Sequence, residues 1–173
     1  MKLKRSSTLS LARTNGGREL QSDTEVLTTQ TTGDFAFRDF TLSHVPADAS
    51  STRSTGEVRR ITQLQYISWP DHGIPSSPTD LIAFVRRVRE KRGNSSAPVV
   101  VHCSAGIGRT GVLITVETAM NLMERRQPVR PLELVQHMRA QRALLIQTTS
   151  QFQFVCETIL KVFQRDYIDQ TFN

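Results

Sequence analysis

The run Pro98-Val99-Val100-Val101-His102-Cys103-Ser104-Ala105-Gly106-Ile107-Gly108-Arg109-Thr110-Gly111 decides how the rest of the chain reads. Its opening, through His102, is a short continuous apolar stretch, the mark of a strand buried on both faces. From Thr110 onward Val112, Ile114, Val116, Ala119, Met120 and Met123 recur at helical spacing. A loop of small residues joins the two. A strand that ends in such a loop and opens a helix gathers several backbone N–H groups into one concavity, at the positive end of the helix dipole. Gly106 and Gly108 permit the backbone turns of such a nest. The anion that fits it is a phosphate, lined by Ser104, Ala105, Gly106, Ile107, Gly108, Arg109 and Thr110, with the planar fork of Arg109 gripping two oxygens.

The same field acts on Cys103. A free thiol with a pKa near 8.5 is only a few per cent thiolate at neutral pH. A helix N-terminus and a neighbouring cation lower that to roughly 3.5–7.5, which makes the thiolate the resting form and a ready nucleophile. Thr110 is placed to donate a hydrogen bond to the departing thiolate, and His102 reads as a residue that orients the loop rather than as a base.

Working outward, WPDHGIPSSP from Trp69 to Pro78 is too punctuated by Pro and Gly to continue a strand and reads as a loop. A helix follows Ser77, with Pro78 at its first position, Asp80 in its first turn and Leu81, Ile82, Phe84, Val85 and Val88 on one face; Lys91-Arg92-Gly93 ends it. Pro131 opens another, bearing Leu132, Leu134, Val135 and Met138. A last helix from about Ser150 carries Phe152, Phe154, Val155, Ile159, Leu160 and Phe163, with Cys156 among them as a buried core residue. Upstream, Phe35 to Phe40 and the stretch around Leu64 and Tyr66 alternate as strands, joined by an exposed connection from Pro46 to Gly56. Residues 1–33 are polar and basic without sustained periodicity and are expected to lack fixed structure. Residues 34–167 form the domain, and 168–173 a C-terminal tail. The order of elements predicts an α/β (α+β) domain, a twisted mixed sheet flanked by helices.

Composition sets the class. Hydrophobic residues make up 38% and charged residues 22%, ordinary for a water-soluble globular chain. No apolar run approaches the roughly 18 residues of a membrane span. The formal charge of +6 arises largely from Lys2, Lys4, Arg5, Arg13 and Arg18. These read as a solvated tail, and the absence of interleaved aromatics argues against nucleic-acid binding. Two cysteines do not make a disulfide framework, which favours a reducing, cytoplasmic setting. His44 and His137 have no ligand spacing, so neither a metal nor another cofactor is expected.

HCSAGIGRTG resembles the phosphate loop of the tyrosine-specific protein phosphatases, and WPDHG resembles that family's mobile acid loop. Gln147-Thr148-Thr149-Ser150-Gln151 resembles its glutamine loop. The resemblance runs from about Phe35 to Phe163 and is most like the FERM- and PDZ-containing non-receptor type 3 and type 4 subgroup. It implies the phosphatase fold and a signalling hydrolase that dephosphorylates phosphotyrosine proteins through a phosphocysteine intermediate. Cys103 is then the nucleophile, Arg109 the phosphate grip and Asp71 the general acid and later base. Gln147 positions water, with Gln151 in support and Trp69 as the loop hinge; His72 shapes the acid loop. Cytoskeletal or membrane-proximal partners are implied only through modules that this chain lacks.

The family's Lys-Asn-Arg-Tyr loop, whose tyrosine stacks on the phosphotyrosine ring, has no counterpart here: the tyrosines are Tyr66 and Tyr167. The domain therefore reads as N-terminally truncated. Two alternatives stay open beside the tyrosine phosphatase: a phosphate-binding or regulatory fragment with little turnover, and a compact dual-specificity phosphatase.

Overall fold

The computed structural model describes residues 21–45, 58–70 and 73–168. The chain divides between Gln65 and Tyr66 into two compact units. In the first, strands β1 (Gln21–Thr32), β2 (Phe35–Val45) and β3 (Val58–Tyr66) form a sheet of order β1-β2-β3. β1 and β2 pair antiparallel with Thr32 opposite Phe35, so Gly33 and Asp34 make the turn, and Gly33 takes a φ of +55° that suits its first position. The register slips between Val26 and Thr28, a bulge at Leu27. Asp39 ties the three strands together, accepting from the Thr28 hydroxyl at 3.2 Å and the Thr62 hydroxyl at 2.7 Å. Its neighbour Arg38, pointing to the other face as strand geometry requires, donates to Gln63 and Gln65.

Strand β1 corrects the expectation that everything before residue 34 lacks regular structure. Thr24, Val26, Thr28, Thr29, Thr31 and Thr32 are β-branched, and in a hairpin with Phe35–Val45 that stiffness outweighs their polarity. Residues 1–20, the connection at 46–57 and the tail from 169 lie outside the described residues.

Among the described residues of the second unit, four helices build the core: α1 (Pro78–Arg92), α2 (Gly108–Glu124), α3 (Pro131–Gln141) and α4 (Thr149–Phe163), followed by a π-helical turn at Gln164–Ile168. Helix α1 starts as its sequence dictates. Ser77 caps it by accepting from the Thr79 N–H at 3.1 Å, Pro78 fills the first turn, and Gly93 closes it at φ +52°. Leu81, Ile82 and Val85 face inward, against Val112, Val116 and Ala119 of α2 and Phe154, Val155 and Val162 of α4. Helix α2 packs on the other three. Leu160 and Phe163 are 55% and 45% exposed, and Cys156, expected as a buried core residue, is only half-buried. The buried stripe of α4 is Gln151, Phe154, Val155, Thr158, Ile159 and Val162, and these residues fall to its side; Phe163 stacks instead on Tyr167.

Residues 98–102 also depart from expectation. They belong to no sheet among the described residues, and Val99 and Val100 are 48% and 84% exposed. An apolar β-branched run has strand propensity, but a strand exists only where a neighbour completes its hydrogen bonds. The segment still delivers Cys103 to the start of α2.

The N-terminus of α2 is locked to the loop before α4. The Ile146 N–H donates to the Ile107 carbonyl at 3.0 Å, and Gly111 lies so close that a Cβ there would sit 2.7 Å from the Ile146 nitrogen. Because the obstacle is backbone, Gly111→Ala is expected to destabilise the chain by about 1–3 kcal/mol through overpacking. Urea denaturation followed by circular dichroism measures this, and an unchanged midpoint would contradict the close approach.

Candidate active site

The site grows from the turn between residue 103 and α2. Ile107 caps the helix without a side-chain hydrogen bond, and no acidic residue occupies the first turn, so the helix presents its first amides and positive pole unneutralised by side chains. Gly106 takes a φ of +71°, which bends the loop back over Cys103 and brings its own N–H within 3.2 Å of the sulfur.

Burial pushes the Cys103 thiol up. That is outweighed by the hydroxyl and amide of Thr110 and the amides of Gly106 and Ile107, which bring its pKa from 9.0 down to about 7. The Thr110 hydroxyl is buried and completes no hydrogen bond of ordinary geometry. Its pull on the sulfur is therefore that of a nearby dipole, and it is a donor available to an oxyanion seated on the loop. The loop thus favours the Cys103 thiolate, in a cradle of donors that would serve a phosphate equally well.

Cys156 is the contrast. It is half-buried on α4, and burial and the carboxylate of Glu157 push its thiol up. Iodoacetamide alkylation followed residue by residue with mass spectrometry should therefore separate the two. Cys103 should react with a midpoint near pH 7, because deprotonation creates the nucleophile, and Cys156 only above the usual thiol range. Coincident midpoints would remove the cradle.

The other expected site residues divide. Arg109, in the first turn of α2, reaches the Trp69 carbonyl with one Nη at 3.5 Å. Trp69 is buried edge-on to Tyr66, and its indole N–H donates to the Gly73 carbonyl at 3.2 Å. The segment around Trp69 is thus tied to the first turn of α2, while Asp71 and His72, expected to supply and shape the acid, lie outside the described residues. Gln147 is brought in: a Cβ on Gly108 would lie 2.7 Å from its Oε1. Gln151 is only 3% exposed, and its Oε1 accepts from the Gln147 N–H at 2.9 Å, which ties the residue before the α4 cap to the first turn of that helix. His102 is exposed, with Nδ1 3.4 Å from the Cys103 carbonyl, where it donates if it carries the proton. Ser104 and Ala105 are exposed on the loop, and Ile107 is half-buried.

Two arginines were not legible as site residues. Arg139 donates to the carbonyls of Leu145 and Ile146 at 2.8 and 2.7 Å, holding a loop in which Leu144 and Ile146 take φ values of +64° and +62°. Such conformations are costly for residues with a Cβ, above all β-branched Ile146, and persist only where neighbours impose them. Arg142 donates to the carbonyls of Gly106 and Ala105 at 2.8 and 3.3 Å. In sequence both look like the basic last turn of a helix; only the three-residue interval between them, continuing into an apolar loop, hints at more.

A family model described as protein-tyrosine phosphatase matches residues 14–161. The chain is 61% identical over 112 residues to human tyrosine-protein phosphatase non-receptor type 4, covering 65% of this chain and 12% of that protein. It is 59% identical over 111 residues to tyrosine-protein phosphatase 1 of Caenorhabditis elegans, covering 64% and 11% respectively. The crystal structure of the catalytic domain of human protein tyrosine phosphatase non-receptor type 18 superposes with a TM-score of 0.71 at 34% identity, over 82% of this chain and 49% of that one. The chain thus spans about an eighth of the curated relatives and half of the solved domain.

Proposed function

The chain belongs to the protein-tyrosine phosphatase family, and we propose that residues 34–167 hydrolyse phosphotyrosine in proteins through a cysteinyl-phosphate intermediate. The observation that carries this reading is the Cys103 sulfur at the N-terminus of α2, under the Gly106 amide and beside the buried Thr110 hydroxyl.

In the first step the Cys103 thiolate attacks phosphorus. The bond to the phenolic oxygen breaks, its electron pair stays on that oxygen, and Asp71 supplies the proton, so that tyrosine leaves neutral. In the second, water attacks the phosphocysteine, Asp71 accepts its proton, and the sulfur–phosphorus bond breaks to return the thiolate and free phosphate. Gln147, adjoining Gly108, is suited to hold that water, and Gln151 to hold Gln147. Arg109 and the loop amides take the charge of the three equatorial oxygens in both transition states, which is where most of the acceleration arises. None of the described helices is long and apolar enough to cross a membrane. We assign the reaction to the cytoplasm, where Cys103 stays reduced.

Phosphate release by the purified chain from paired phosphotyrosine and phosphoserine peptides tests the assignment. Acid quenching should trap phosphate on the Cys103 peptide. Equal rates on both peptides would point to dual specificity. A folded chain that binds the phosphotyrosine peptide without releasing phosphate would be a binding module.

A further inference from the structure

We propose that Arg142 is a positioning residue for the phosphate loop: its guanidinium draws the Ala105 and Gly106 carbonyls outward and thereby turns the following two amides toward the bound phosphate. The inference rests on the reading of residues 103–109 as a phosphate loop and adds the group that shapes it.

Peptide geometry supplies the argument. A trans peptide unit is planar, with its C=O and N–H pointing in opposite directions. The Ala105 carbonyl shares its plane with the Gly106 N–H, and the Gly106 carbonyl with the Ile107 N–H. Arg142 holds these two carbonyls, at 3.3 and 2.8 Å. The amides on the opposite sides of the same planes are two of those that depress the Cys103 pKa, and the Gly106 amide reaches the sulfur at 3.2 Å. One side chain therefore sets the direction of two donors it never touches.

Three further features make the contact more than a surface arginine lying on a convenient carbonyl. Arg142 is the C-cap of α3, its own N–H donating to Met138 at 2.9 Å, so the root of the side chain is fixed. Room for the guanidinium comes from Gly106, where a Cβ would lie 3.0 Å from one Nη. Behind the loop is an open cavity of about 410 Å³, lined by Gly106, Thr110, Ile114, Met138 and Arg142 among others, so packed side chains do not back the loop on this side. A planar fork can hold two carbonyls at once, whereas an ammonium with the same charge is a single point.

The test uses the 173-residue chain as wild type, Arg142→Gln and Arg142→Lys. The pH midpoint of Cys103 alkylation is measured beside kcat and KM on p-nitrophenyl phosphate, with thermal melts to establish folding. In Arg142→Gln the midpoint should rise from near pH 7 by about one unit. Its kcat/KM should fall by roughly tenfold or more. Arg142→Lys, which folds if charge is all the fold needs, should resemble Arg142→Gln. An unmoved midpoint in folded Arg142→Gln overturns the proposal, and so does full restoration by lysine, which would assign the effect to charge. Because alkylation needs no turnover, a wild-type chain that hydrolyses nothing yet loses its low midpoint in Arg142→Gln would remove the phosphatase reading and uphold the positioning role.

Discussion

Cys103→Ser should abolish phosphate release, a loss on the order of 10⁴-fold or more, while phosphotyrosine peptide still binds. The geometry separates these two properties. On the proposed reading binding draws on Arg109, the loop amides and the pole of α2, none of which the substitution removes. Attack draws on a sulfur whose pKa the loop holds at about 7. A serine hydroxyl in the same place stays protonated at neutral pH, and its loop neighbours supply donors rather than a base. Phosphate release and peptide titration on the same preparation read both halves. Residual turnover above about a hundredth of wild type would mean that another group attacks phosphorus.

The same substitution should change how stability depends on pH. The folded pKa of Cys103 lies below its ordinary value of 9.0, so between about pH 7 and 9 the native state binds fewer protons than the unfolded chain. Stability conferred by the thiolate is then fully present above pH 9 and lost as pH falls through 7. The stability difference between wild type and Cys103→Ser should accordingly grow as pH rises across that window. A flat difference would contradict the cradle independently of any activity.

What the sequence discloses here is local, and what it conceals depends on contacts between distant segments. Ser77, Pro78 and Gly93 delimit α1 because capping and φ preferences act within a turn. The turn from Cys103 into α2 is legible for the same reason: its glycines and the helix start are contiguous. Thr-rich β1 stays hidden because its polar side chains mask a backbone preference that only pairing with β2 realises. The strand expected at 98–102 fails in the opposite direction, its propensity present but no sheet neighbour described for it. Cys156 is less buried than its apolar neighbours suggested because apolarity alone does not place a residue on the buried stripe. Arg139 and Arg142 are the instructive case for function. Their partners are backbone carbonyls at positions 105, 106, 145 and 146, and no side-chain pattern marks a carbonyl as needing to be held. Ile146, with its β-branched side chain at positive φ, is where local preference yields to the site.

Asp71→Ala should lower kcat/KM for a phosphotyrosine peptide by roughly 10²–10⁴-fold and for p-nitrophenyl phosphate far less. The reasoning starts from the leaving group. A tyrosine phenol has a pKa near 10, so its oxygen leaves poorly unless a proton arrives as the bond breaks. A nitrophenolate spreads its charge into the ring and departs with little help. Because kcat/KM covers only the steps through departure of the phenol, the contrast isolates proton donation from the later hydrolysis of phosphocysteine, which needs Asp71 as a base for both substrates. The described residues on either side of positions 71 and 72 are held together. Gly73 donates to the Pro70 carbonyl at 3.3 Å, the Trp69 indole closes on Gly73, and Arg109 meets the Trp69 carbonyl, so the acid loop is based on the residue assigned to grip phosphate. A donor must also be protonated to act, so wild-type kcat/KM for the peptide should fall on the alkaline side of its optimum, and that limb should flatten in the variant. Equal losses on the two substrates, or an alkaline limb unchanged by the substitution, would take proton transfer away from Asp71 and leave it only a shaping residue of its loop.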